Sequence, residues 1–337
     1  MIGKADHGLV EVAVGDGRPL LLFTGLGLVL SGAFALFLSA VRQFLPHDVA
    51  YLGMTANELC AFYDCRIVDF MIHDRAAFGG ALVAIGVLYL WLVVFPLAEG
   101  RAWAWWTLVL SSVTGFGSFL TYLGYGYLDT WHGVATLVLL PLFVIGLVKS
   151  YSSLEDAMDA RRSIRTLFRP SLPLTARTLH GKGRLLLLLT SVGMIFGGLT
   201  VMLVGITEIF VPQDLAFMHA HVDDLDAIDT KLIPLIAHDR AGFGGAVLST
   251  GITAFFCILC GRPSRSLWQA LLLAATSGFG FAIGIHLIVG YTDVIHLAPA
   301  YLGSSLFIVG LILTYRPKLW QAGLLPKEAG RLEAEES

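Results

Sequence analysis

The chain has 337 residues, 56% of them hydrophobic and only 14% charged, with a mean hydropathy of +0.76. That composition excludes an ordinary soluble globular domain, and a net charge of −3 with a pI near 6.3 offers nothing to nucleic acid. An integral membrane protein is the class that remains.

About 20 apolar residues span a bilayer core. In chain order, runs of roughly that length cover 19–41, 76–97, 104–124, 133–149, 184–208, 241–260, 267–289 and 297–314. The leader of the first contains Asp6, Glu11 and Asp16, so that run reads as a retained helix and not as a signal peptide. Eight spans are therefore expected, four in each half of the chain.

The halves repeat one another. HDRAAFGGALVAIG around His73 returns as HDRAGFGGAVLSTG around His238, an offset of 165. GYLDTWHGVATL around His132 returns as GYTDVIHLAPAY around His296, an offset of 164. GRPLLLFTGLGLVLSG from Gly17 matches GRLLLLLTSVGMIFGG from Gly183. This is a tandem duplication. The expected fold is an all-α integral membrane protein of eight transmembrane helices, arranged as two tandem parallel four-helix bundles. Its parts are a first repeat over 1–150, a basic cytoplasmic linker over 151–183, a second repeat over 184–315 and a cytoplasmic tail over 316–337.

With the N-terminus in the cytoplasm, 17 of the 22 Lys and Arg fall inside and five outside: Arg42, Arg66, Arg75, Lys231 and Arg240. That asymmetry sets the orientation, with both termini and the linker cytoplasmic; the expected location is a bacterial inner membrane. An even number of helices per copy makes the repeats parallel and not inverted. Each copy then reads as a first helix running outward, a long outer loop (43–75 and 209–240), a second helix opening on the HDR motif, a third carrying TGFG or SGFG, and a fourth opening on His132 or His296. The linker predicts one interfacial helix over 153–168. Each outer loop is read either as a short capping helix or as a solvated loop.

Eight of the ten histidines fall at the outer face: His47, His73, His132, His219, His221, His238, His286 and His296. Ionisable groups inside a bundle are functional candidates by default. A single interfacial His would be read as snorkelling. The repeated pairs His73/His238 and His132/His296 are read as functional, because they persisted while apolar neighbours drifted. The second and fourth helices of a bundle are diagonal, so His73 with His132, and His238 with His296, are placed to ligate a haem iron axially. The same layout could hold Fe, Zn or Cu through nitrogen, helped by Asp74 or Asp239. Arg75 and Arg240 are read either as partners of haem propionates or as partners of lipid phosphate, Asp129 or Asp293. The FGG and GFG stretches let backbones approach closely, for helix packing first and otherwise to admit a flat macrocycle. Cys257 and Cys260 read as core packing, and an oxidising outer compartment permits a Cys60–Cys65 disulfide.

This arrangement of histidines on two parallel four-helix units resembles the heme A synthase family. The HDR stretches are similar to its His-Arg signature, and Cys60 and Cys65 to the cysteine pair many bacterial members carry. The resemblance implies a haem-binding fold. Where that family has a catalytic Glu three residues before the first-half His, this chain has Phe70, and the nearest acids are Asp69 and Asp74.

The leading functional expectation is a membrane haem-binding oxidoreductase. His73, His132, His238 and His296 would be its ligands, Arg75 and Arg240 would contact the cofactor, and Asp69, Asp74 and Asp239 are the candidate catalytic acids. A second expectation is a non-haem metalloenzyme acting on a lipid or quinone, with His219, His221, His238 and His286 as ligands. A third is a cofactor-free transporter or structural bundle. Membrane lipid, a quinone or haem substrate and a homo-oligomeric partner are compatible with these readings.

Overall fold

A computed structural model describes residues 8, 14–127, 133–154 and 163–316. Among the described residues every regular element is helical. The elements are α1 (Arg18–Ala40), α2 (Pro46–Leu52), α3 (Ala56–Leu59), α4 (Arg66–Val94), α5 (Ala102–Phe119), α6 (Leu140–Tyr151), α7 (Leu179–Ile206), α8 (Pro212–Met218), α9 (Val222–Ile228), α10 (Leu232–Cys260), α11 (Arg265–Val289) and α12 (Val294–Thr314). Among the described residues seven spans are long and apolar enough to cross a membrane, built on α1, α4, α5, α7, α10, α11 and α12. The chain is a helical multi-pass membrane protein. The expected eighth span, Ala135–Tyr151, is apolar but shorter; it starts with a π-helical turn over Ala135–Leu139 before α6. Leu128 to His132, just before it, lie outside the described residues.

The HDR helices start earlier than the apolar runs suggest. α4 begins at Arg66 and α10 at Leu232, so His73 and His238 lie about two turns inside their helices and not at their openings. Asp69 interrupts the apolar run but not the helix. The helix reading of the outer loops holds: α2 and α3 follow α1, and α8 and α9 follow α7. Asp48 and Asp214 occupy the third position of α2 and α8 and accept the otherwise unpaired amides of Leu45 and Val211, at 3.0 and 2.8 Å. Tyr63, Asp64 and Cys65 all have left-handed φ, and this tight turn brings Cys65 to Cys60 in a disulfide, as the outer-loop reading expected. The interfacial helix expected over 153–168 falls partly on 155–162, outside the described residues; Ile164–Phe168 is a 3-10 turn. The tail from 317 is also outside them.

The copies interlock. α4 packs most extensively on α1 of its own copy and on α11 of the other, and α10 correspondingly on α7 and on α5. α4 and α10 also touch one another, whereas α5 makes little contact with α4. The FGG motif explains this. A Cβ on Gly79 would strike Gly32 of α1, and one on Gly80 would strike Ser277 of α11. A Cβ on Gly244 would run into Met202 of α7, and one on Gly245 into Ser118 of α5. One glycine of each pair seats the helix of its own copy and the next seats that of the other copy. α4 and α10 are accordingly central: 67% and 72% of their apolar windows are buried, against 22–29% in the other spans. Two separate bundles would not bury the second helices in this way.

At the opposite end Arg184 donates to the carbonyls of Ile258 and Leu259 at 3.0 and 2.6 Å, closing the last turn of α10. Cys257 and Cys260 are buried and free, in keeping with the packing reading.

Candidate metal centre

Residues two apart on a helix point about 200° apart. Within HDR the histidine and the arginine therefore cannot face the same site, and the structure divides them. Arg75 reaches Asp48 of its own copy at 2.7 Å and Asp239 of the other at 3.1 Å. Arg240 pairs with Asp214 of its own copy, and its Nε lies 3.6 Å from Asp74 of the other. Tyr127 donates its hydroxyl to Asp48, and Tyr291 donates to Asp214 at 2.7 Å. His238 Nδ1 is 3.0 Å from Asp239, and His73 Nδ1 is 3.2 Å from Asp74. Two pseudo-equivalent frames result, each of Asp, Arg, Asp, His and Tyr, and each drawing on both copies. All four carboxylates and both guanidiniums are largely withdrawn from solvent. Arginines so placed do not serve lipid phosphate, and of the expected carboxylate partners Asp293 instead caps α12 by accepting the His296 amide at 2.7 Å. Asp129 lies outside the described residues.

Burial works to raise the Asp214 carboxyl, but Arg240, the Val211 amide and the Tyr291 hydroxyl outweigh it and hold the group below its usual range. Burial, then the Asp214 charge, push the Tyr291 phenol up.

The frames differ in what surrounds the histidine. His73, His286 and His296 converge from α4, α11 and α12, each offering a ring nitrogen within 4.8 Å of the others. Among the described residues no other group of three or more His, Cys, Asp or Glu does so. The ring centroids are 4.2 Å apart for His73–His286, 5.1 Å for His286–His296 and 5.9 Å for His73–His296. His73 and His286 are buried, at 2% and 6% exposure.

Partner roles fix the tautomers. His286 Nδ1 donates to the Ala282 carbonyl at 2.6 Å, leaving its lone pair on Nε2, which is buried and has no hydrogen-bond partner. The Tyr291 proton is committed to Asp214, so His296 Nδ1, 3.2 Å from that oxygen, is the donor there. His73 turns Nδ1 toward Asp74. Nδ1 of His286 and of His296 are engaged by oxygens, which leaves their Nε2 lone pairs for a cation, while His73 Nδ1 lies 3.2 Å from Asp74 without a hydrogen bond.

The sequence reading paired His238 with His296. His296 lies beside His73 of the other copy, and His238 packs edge-on to Tyr127 at 5.2 Å. α12, which carries His296, follows α11, and α11 packs on α4 of the other copy. His132 falls outside the described residues. His219 and His221 are exposed and line a cavity of about 850 Å³ with Glu208, Leu215 and Ala216. That cavity lies on the face of α8 away from buried Asp214 and Phe217, so the two do not join His286 or His238. Asp69 pairs with Arg42 at 2.6 Å, outside both frames. Asp48, Asp214, Tyr127 and Tyr291 went unremarked in the sequence, although PHD and PQD recur at an offset of 166 and each Tyr stands in the repeated GY dipeptide.

A haem iron between His73 and His296 does not fit these side chains as placed. The ring of His286 stands against both, in the space the macrocycle would need. No known protein family, characterised protein or solved structure matches the chain.

Proposed function

We propose that this protein is a membrane metalloenzyme, an oxidoreductase acting on a lipid-soluble substrate such as a quinone, with its metal held by His73, His286 and His296. The observation that carries the reading is the convergence of three imidazoles, two of them buried and each of those two with an unpartnered nitrogen, inside an apolar bundle. Burying such rings without a ligand would leave polar atoms unsatisfied at a cost of about 1–3 kcal/mol each. Imidazole nitrogens suit Zn, Cu, Fe or Ni. A bound redox metal of that group would supply one-electron chemistry. The protein's own part is to fix His286 and His296 through Ala282 and Tyr291, to set Asp74 beside His73, and to exclude bulk water with α8 and α9. The proposal includes Ala135–Tyr151 as an eighth span, two parallel four-span repeats, cytoplasmic termini and a bacterial inner membrane, with the sites at the periplasmic end.

Haem is the second reading, resting on the likeness to the heme A synthase family and on the His238 frame. There the position matching His286 is Tyr122, so no third imidazole is supplied from it. Metal analysis with an absorption spectrum of the purified protein separates the two. The metal-ion reading expects one transition metal per chain and no Soret band. A Soret band with stoichiometric iron would replace it with haem, and neither signal would leave a cofactor-free bundle.

A further inference from the structure

The charges around the triad do not cancel. Asp74 and Asp214 bring two negative charges and Arg240 one positive, while the three imidazoles are neutral when they present lone pairs. Asp74 is 2% exposed, and neither of its oxygens accepts a hydrogen bond among the described residues. A buried anion so poorly compensated is costly. A divalent cation on the triad overshoots by one unit, and one anionic donor beside it restores neutrality. The coordination count agrees: three protein nitrogens leave the fourth position of a tetrahedral site open.

We infer that the triad takes a divalent first-row cation together with one anionic oxygen or nitrogen donor from outside the chain. This rests on the metal-centre reading above. The donor enters past His296, the least buried of the three, in the first turn of α12 beside the exposed Val294 and Ile295. That approach admits either an aqueous anion or the headgroup of a membrane-dissolved acid.

Co2+ is the probe, because its visible spectrum reports coordination. The full-length protein in phosphatidylcholine nanodiscs is loaded with Co2+ and titrated with thiocyanate, acetate and laurate. One Co2+ per chain is expected, with a visible spectrum that changes saturably as thiocyanate is added. Laurate acting at tenfold lower concentration than acetate assigns the donor to membrane acids; equal potency assigns it to aqueous anions. Asp74→Asn should weaken Co2+ binding at least tenfold yet tighten thiocyanate binding, because the loaded site becomes more positive. A merely structural Asp74 would not produce that opposite pair of shifts, and Asp214→Asn gives a second test if the first variant folds poorly. Stoichiometric Co2+ with a spectrum indifferent to every anion overturns the inference and leaves the metal centre standing. Failure of the wild-type protein to bind Co2+ removes both.

Discussion

The two sites share one frame and diverge at its centre. Around Arg240 lie Asp214, Asp74, Tyr291 and His73; around Arg75 lie Asp48, Asp239, Tyr127 and His238. Duplication preserved the ion pairs that hold the copies together, while single positions were free to change. Two changes stand out: His286 against Tyr122, and Gln213 against His47. The first completes a three-imidazole site beside Arg240, and among the described residues no such group lies beside Arg75. The frame is therefore read as the architectural constant and the third histidine as the specialisation.

Removing a guanidinium tests the shared part and should have the largest effect. Arg240→Leu leaves Asp214 and Asp74 buried without their cation, and Arg75→Leu does the same to Asp48 and Asp239. Each should lose about 3–5 kcal/mol, read as a drop in thermal unfolding temperature in detergent. If one variant is destabilised and the other is neutral, the frames are not equivalent.

Removing a phenol should separate the sites. Tyr127→Phe and Tyr291→Phe each delete a donor to a buried carboxylate and should cost about 1.5–3 kcal/mol. Only Tyr291→Phe should also weaken metal binding, by about 10–100-fold, because only Tyr291 backs a triad ring. Equal metal affinities in the two variants would dissociate Tyr291 from the centre.

The smallest effect is acid sensitivity. Asp214 is held below its ordinary value of 3.8, so its contribution is complete above that value and lost as pH falls through the lower folded value. Asp214→Asn should flatten this acid limb in unfolding temperatures measured over about pH 2–6. An unchanged limb would mean that other carboxylates carry it.

Much of this was legible in the sequence. Hydropathy located the spans because the hydrocarbon requirement is one-dimensional, and repetition singled out His73, His238 and His296. The pairing was not legible. Which α-helix a glycine seats depends on three-dimensional packing, and Gly80 and Gly245 turned each HDR helix toward the other copy. Geometry could have warned that His73 and Arg75 face opposite sides. Asp48 and Asp214 hid in loops where acids are common, and only their role as helix caps oriented toward Arg75 and Arg240 gave them meaning. The π-helical turn at Ala135–Leu139 had no sequence signal we can name.

The central claim is that the metal belongs to the three-histidine site and spans both copies. Metal stoichiometry of purified His73→Ala, His286→Ala and His238→Ala tests it most directly, with the detergent-solubilised fold checked by circular dichroism. The account predicts one metal per chain in the wild type and in His238→Ala, and none in His73→Ala or His286→Ala. Metal retained by His286→Ala and lost from His238→Ala would contradict it.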